Sequence, residues 1–209
     1  MRTDLKKVGV LGGTFDPIHK GHIEIAKLSR DLLDLDLVLL VVANDPYQKS
    51  SQQTVSNAWS RYRIAKASVA NEPKVEVSPM EILRNGKSYT YDTLIELKSK
   101  YEFAEIYLII GSDILETLKT WERIDQLSRL ATLVVFERQP YTITTKPDLF
   151  EKQIYFRSND LTKIPHISSS ELKELITSGS DTSEFLNKQT IRAMEVEKLY
   201  YKTNEDFEN

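Results

Sequence analysis

Two of the chain's three histidines, His19 and His22, lie three residues apart in the segment Gly12-Gly13-Thr14-Phe15-Asp16-Pro17-Ile18-His19-Lys20-Gly21-His22. At a helix start that spacing sets the two rings side by side on one face. An imidazole donates a hydrogen bond to a phosphate oxygen whether neutral or charged, and it can change protonation as negative charge develops. Gly12 and Gly13 lack Cβ atoms, so the backbone turns tightly and lets an anion approach its amide N–H groups near the positive end of a helix. The chemistry these residues offer is the holding of a polyphosphate. Either histidine alone reads as a surface residue beside an ordinary turn; the pair within a glycine-rich frame does not. Asp16-Pro17 reads as a shaper of the turn, because a carboxylate beside a triphosphate repels it unless a metal intervenes.

Such a loop needs a strand before it and a helix after it, and both are present. Val8-Gly9-Val10-Leu11 is short and apolar, as a buried parallel strand is, and the stretch from Ile23 to Leu35 has helical periodicity. The alternation continues along the chain. Strands are expected near Val8 to Leu11, Leu37 to Ala43, Val75 to Val77, Ile106 to Ile110, Leu133 to Phe136 and Ile154 to Phe156. Helices are expected near Gly21 to Leu33, Trp59 to Ala70, Tyr91 to Lys100, Ile114 to Lys119, Ser169 to Ile176 and Lys188 to Tyr200. Strand and helix in alternation predict a Rossmann-like α/β fold, an open parallel sheet covered on both faces, with a small C-terminal helical extension over about residues 166–203. In such a sheet, ligands sit beyond the carboxyl ends of the strands where the winding reverses. Gly12 to His22 follows the first strand, Asp45 to Lys49 the second, Gly111 to Asp113 the fourth and Arg138 the fifth, so all can meet at one crevice. Ser50 to Ser56 and Arg138 to Asp148 read as loops.

Length and composition bound the answer. A chain of 209 residues suits one compact enzyme domain. Its net charge of -3, with both signs scattered through both halves, argues against a nucleic-acid partner. The absence of cysteine excludes disulfides, thiolate catalysis and Cys-ligated zinc and is compatible with a reducing cytosol. With no signal-like start and no long apolar run, a cytoplasmic protein without a membrane partner is expected. A homo-oligomer is compatible with all of this.

The segment His19-Lys20-Gly21-His22 resembles the H-x-G-H signature of a nucleotidyltransferase superfamily. Further segments resemble, in order and spacing, the bacterial nicotinate-nucleotide adenylyltransferases: Gly86-Lys87-Ser88-Tyr89-Thr90-Tyr91-Asp92-Thr93-Leu94, Ile109-Ile110-Gly111-Ser112-Asp113, Trp121, Val134-Val135-Phe136-Glu137-Arg138 and Ile167-Ser168-Ser169-Ser170. The resemblance covers the chain up to its final helix. It implies transfer of AMP from ATP to nicotinate mononucleotide, giving deamido-NAD and pyrophosphate, with Mg2+ accompanying ATP.

Residue by residue, the resemblance implies that His19, His22, Lys49 and Lys173 carry catalysis, with no metal ligands among the side chains. Gly12, Gly13, Thr14, Phe15, Gly111, Asp113, Ile167, Ser168, Ser169 and Ser170 would hold the nucleotide, with Asp113 on ribose hydroxyls. Tyr89, Thr90, Trp121 and Arg138 would hold the mononucleotide, Trp121 by stacking on the pyridine ring. Packing explains Trp121 nearly as well, and helix capping explains Asp113 and the Ser168-Glu171 pair. Two departures from the commonest family pattern stand out. In the late motif Ser170 replaces a threonine, keeping the hydroxyl, and Lys173 replaces an arginine, keeping the charge without the bidentate fork; elsewhere Gln48 replaces a histidine. Nicotinamide mononucleotide or another phosphorylated acceptor, a non-catalytic nucleotide sensor, and a partner-binding last helix with a stripe of Ile191, Met194, Leu199 and Tyr200 are the competing readings.

Overall fold

A computed structural model describes residues 4–46, 55–144, 146–157 and 164–200. Six parallel strands form one sheet: β1 (Lys7–Gly13), β2 (Leu37–Val42), β3 (Val75–Ser78), β4 (Glu105–Gly111), β5 (Thr132–Phe136) and β6 (Gln153–Phe156), in spatial order β3-β2-β1-β4-β5-β6. Each expected strand is present. They were legible because parallel strands covered on both faces become near-continuous apolar runs. Alternate residues point to opposite layers. Val8, Val10, Leu37, Leu39, Ile106, Leu108, Leu133 and Val135 pack in one hydrophobic cluster; Leu11, Val38, Leu40, Ile109 and Val134 pack in the other. The chain winds outward from β1 through β2 to β3, then returns to place β4 on the other side of β1. The winding therefore reverses between β1 and β4, and a crevice opens beyond their carboxyl ends.

The helices are α1 (Lys20–Leu33), α2 (Ala58–Ser68), α3 (Met80–Arg84), α4 (Thr90–Lys100), α5 (Ile124–Leu127), α6 (Ser169–Thr177) and α7 (Lys188–Glu197). Four stretches differ from expectation. The stretch from Ile114 to Lys119 is not a helix but parts of two 3-10 turns, Ser112–Ile114 and Leu118–Thr120, in which Thr117 and Thr120 turn their hydroxyls onto the carbonyls of Ile114 and Thr117. Such local bonds compete with the α-helical ladder. The short helices α3 and α5 span too few residues to show a period. The last helix stops at Glu197 because Lys198 adopts a left-handed conformation (φ 52°). Asn187 caps its other end through Thr190 N–H at 2.8 Å.

The apolar stripe of α7 is covered by the chain itself. Met194 is fully buried in the same cluster as Leu172 and Ile176 of α6, with Ile191, Leu199 and Tyr200 packed against it. Against α2, the Ser68 and Thr190 hydroxyls meet at 2.7 Å. That packing removes the ground for reading α7 as a partner-binding helix. No helix among the described residues is long and apolar enough to cross a membrane.

Gly9 sits at the centre of β1, where a Cβ would lie 2.7 Å from Leu35 Cδ1 and 2.9 Å from Ile109 Cδ1. The Gly9→Ala variant is accordingly expected to lose about 1–3 kcal/mol through overpacking, measured by urea denaturation; wild-type stability would show that this layer has slack.

Candidate active site

Beyond β1 and β4 lies a crevice of about 270 Å³. Its wall includes Gly12, Gly13, Thr14, Phe15, His19 and His22 from the first turn, Gly111, Asp113 and Arg138 from the ends of β4 and β5, and Ser168 and Ser169 from the start of α6. Thr90 and Trp121 complete the expected set within it, and Glu81, Ser88 and Thr93 line it as well. Residues nearly 160 positions apart in sequence thus share one surface. Tyr89 adjoins it as the N-cap of α4. Ile167 is buried, and its carbonyl accepts from the Arg138 guanidinium at 2.8 Å. Ser170 lies in the first turn of α6. Lys49, Gln48 and residues 50–54 lie outside the described residues.

The two histidine rings are 3.8 Å apart between centroids. His22 accepts the backbone N–H of His19 at Nδ1 (3.3 Å), which leaves Nε2 to carry the proton of the neutral ring. Phe15, held in a left-handed conformation (φ 49°), sets its ring edge-on to His22 at 5.0 Å. This backbone is uncommon for a bulky residue and is held in place by the surrounding packing. The small residue between the histidines has a steric cause. A Cβ on Gly21 would lie 2.9 Å from His19 Nδ1 and 3.2 Å from the Pro165 carbonyl. At Gly111 a Cβ would stand 2.3 Å from Asp113 Oδ1, so that glycine makes room for the carboxylate.

Four buried side-chain polar atoms among the described residues have no hydrogen-bond partner within the chain: His19 Nδ1 and Nε2, Asp113 Oδ1 and Trp121 Nε1. All four belong to residues lining this crevice. A buried polar atom left unpaired costs stability on the order of 1–3 kcal/mol, so their convergence marks a place where a ligand supplies partners. His19 is 1% exposed, and burial, with the Arg138 charge adding to it, pulls its pKa down to about 3. It is neutral at physiological pH and offers one donor and one acceptor.

Sequence reasoning missed two residues, one behind the site and one in its wall. Arg61, 1% exposed, donates to the carbonyls of Thr14 (2.6 Å), Asn44 (3.2 Å) and Ser56 (2.8 Å). One guanidinium thereby ties the turn after β1 to the turn after β2 and to the approach to α2. Burial pushes its pKa down, opposed by the charge of Asp16. An arginine on a helix face ordinarily reads as solvated, so the sequence carried no signal for it. Glu81 accepts from Thr93 Oγ1 at 2.5 Å, and burial pushes its carboxyl up against the hydrogen bonds of Thr93 and Ser88 and the charge of Arg84.

Lys173 meets a group that the sequence did not indicate. It does not line the crevice; its ammonium is hydrogen-bonded to the Asp16 carboxylate, which also accepts from Tyr200 Oη at 2.5 Å and Ser56 N–H at 3.3 Å. The turn that bears Asp16 points its side chain inward, away from the crevice, and a buried carboxylate requires a cation. Burial raises the Asp16 pKa, but the bonds from Lys173, Tyr200 and Ser56 and the Lys173 charge outweigh it and hold the group below the ordinary aspartate value.

The low pKa of His19 has a consequence for stability. Between pH 6.5 and about 3 the unfolded chain takes up a proton that the folded ring refuses, so stability falls as pH falls through that window, by up to about 1.4 kcal/mol per pH unit. His19→Asn removes this proton uptake, and its stability curve in urea titrations should be shallower than wild type over that range. Parallel curves would show that the ring is protonated in the folded state.

Residues 10–175 match the model of the cytidylyltransferase-like family. A probable nicotinate-nucleotide adenylyltransferase of Clostridium tetani is 32% identical over 203 residues, covering 94% of this chain and 100% of the relative. One from Shouchella clausii is 34% identical over 205 residues, covering 96% and 100%. The fold is shared with a Plasmodium falciparum nicotinic acid mononucleotide adenylyltransferase complexed with NaAD, at a TM-score of 0.78 and 21% identity over 93% of this chain and 97% of that one. With both chains matched nearly end to end and the crevice built from the same turns that carry the sequence motifs, the protein belongs to the cytidylyltransferase-like family, in its nicotinate-nucleotide adenylyltransferase branch.

Proposed function

We propose that the protein transfers the adenylyl group of ATP to nicotinate mononucleotide, releasing pyrophosphate and forming deamido-NAD. The observation that carries this reading is the convergence of the four unpartnered buried polar atoms on one crevice at the switch point between β1 and β4. The names of the full-length relatives supply the acceptor.

The reaction needs no protein nucleophile. A phosphate oxygen of the mononucleotide attacks the α-phosphorus in line, a new P–O bond forms, and the bond to the departing pyrophosphate oxygen breaks. The chain's task is to align two polyanions and neutralise the charge that gathers on the α-phosphate and leaving group. The turn of Gly12 to Phe15 and the start of α6 hold the triphosphate between them. His22, its Nδ1 engaged by the backbone, presents an Nε2 donor to the transition-state oxygens. Neutral His19 lies alongside as a second donor. Asp113 takes the ribose hydroxyls, and Trp121, with Thr90 near it, meets the pyridine ring. Arg138, anchored on the Ile167 carbonyl, and Lys49 add positive charge.

Among the described residues no three His, Cys, Asp or Glu side chains form a metal-binding group. Magnesium would accompany the triphosphate, held by phosphate oxygens and water as this ion commonly is. When bound, it neutralises part of the triphosphate charge.

Two experiments test the reading. His22→Ala is expected to fold as wild type and to lose about a hundredfold or more in kcat; near-normal turnover would remove His22 from the mechanism. In a pyrophosphate-release assay with ATP, nicotinate mononucleotide should be the preferred acceptor over nicotinamide mononucleotide and phosphopantetheine. A preference for either of those would overturn the acceptor, and ATP binding without release on any of the three would point to a nucleotide sensor.

A further inference from the structure

Helix α6 meets the turn after β1 through one face. Ser169 and Lys173, four residues apart and hence stacked on that face, bind consecutive residues of the turn: the Ser169 hydroxyl donates to the Pro17 carbonyl at 3.1 Å, and the Lys173 ammonium pairs with Asp16. Asp16 is 5% exposed, and its other carboxylate oxygen takes the Tyr200 hydroxyl at 2.5 Å. Tyr200 comes from just beyond α7, and its ring lies beneath the same ammonium, 5.8 Å from Nζ to centroid. Two C-terminal side chains thus converge on a single anion next to Phe15, which does line the crevice.

We propose that Lys173 and Tyr200 are positioning residues that act on ATP through Asp16: together they cancel and immobilise the one negative charge built into the phosphate-holding turn, so that the turn accepts a polyanion. The inference rests on the reading of this turn as the triphosphate site. It departs from a direct Lys173–phosphate contact, because the ammonium is already engaged by a carboxylate on the far side of the turn. An anion left uncompensated there would repel the triphosphate through a poorly screened interior. The tyrosine adds a donor without adding a charge, and the buried guanidinium of Arg61, which feels the Asp16 charge, stands behind the same group as a more distant cation.

Rescue distinguishes the two roles. ATP affinity is measured by calorimetry on the folded full-length protein, without acceptor, for Lys173→Met, Asp16→Asn and the double variant. Lys173→Met is expected to weaken ATP binding about tenfold or more. Asp16→Asn removes the charge that Lys173 serves, and the double variant should return to within about threefold of wild type. A double variant as weak as Lys173→Met alone would overturn the proposal and make Lys173 a direct phosphate ligand. Tyr200→Phe keeps the ring and removes only the hydroxyl. It should raise the KM for ATP two- to fivefold while leaving kcat unchanged, an effect that disappears in the Asp16→Asn background. An equal loss in both backgrounds would refute the Tyr200 role, as would a fall in kcat with KM unchanged, the mark of lost folded protein. Wild-type protein that binds ATP but releases no pyrophosphate would overturn the reaction assigned above and leave this coupling readable.

Discussion

A turn that holds a polyanion must present its amide N–H groups outward, and its carbonyls must therefore find donors on the inner side. In this protein that constraint is met by Arg61. Its buried guanidinium takes the carbonyls of Thr14, Asn44 and Ser56, three main-chain partners at one point. Gly12 to Phe15 line the crevice on its other side. Phe15 in its left-handed conformation, the ring of His22 against it and the missing Cβ at Gly21 are all consequences of closing this turn directly onto α1. The sheet order supplies the rest, since only β1 has β2 on one side and β4 on the other.

A neutral His19 at the proposed triphosphate site has an electrostatic logic. A charged imidazole at His19 would bind the anion well but would have to be stripped of water in the crevice and would lie beside Arg138. Burial decides against the charge and leaves a neutral ring whose two nitrogens await partners. The fold bears the cost of these unpaired atoms in return for a site that needs little reorganisation when negative charge develops. Such groups are usually a sign of function because nothing in folding alone would retain them.

What the sequence made legible follows from the same physics. Strands buried on both faces announce themselves as apolar runs, and β1 to β6 were all visible in this way. The crevice was legible because glycine, histidine and serine at strand and helix ends have few other reasons to recur. Arg61, Glu81 and the inward turn of Asp16 were not. Each is a charged residue whose importance lies in what it faces, and a one-dimensional pattern records only that a charge is present. The stretch from Ile114 to Lys119 failed for a related reason: its apolar spacing suits a helix, but side-chain hydroxyls bonding back to nearby carbonyls tighten it to 3-10 turns.

Lys173 shows where motif transfer stops. Read along the chain, a cation one turn into a helix whose N-terminus faces phosphate belongs to the phosphate. In space the same helix turns Ser168 and Ser169 to the crevice, while Lys173, one turn further in, meets a different group. A lysine, with a single ammonium rather than a planar fork, can neutralise the charge of Asp16, whereas an arginine has donors enough to bridge a carboxylate and a second anion at once. The lysine found here therefore fits a pairing with the turn's own carboxylate, and the recruitment of Tyr200 to the same oxygen pair follows, because one ammonium leaves carboxylate lone pairs that a buried site must still satisfy.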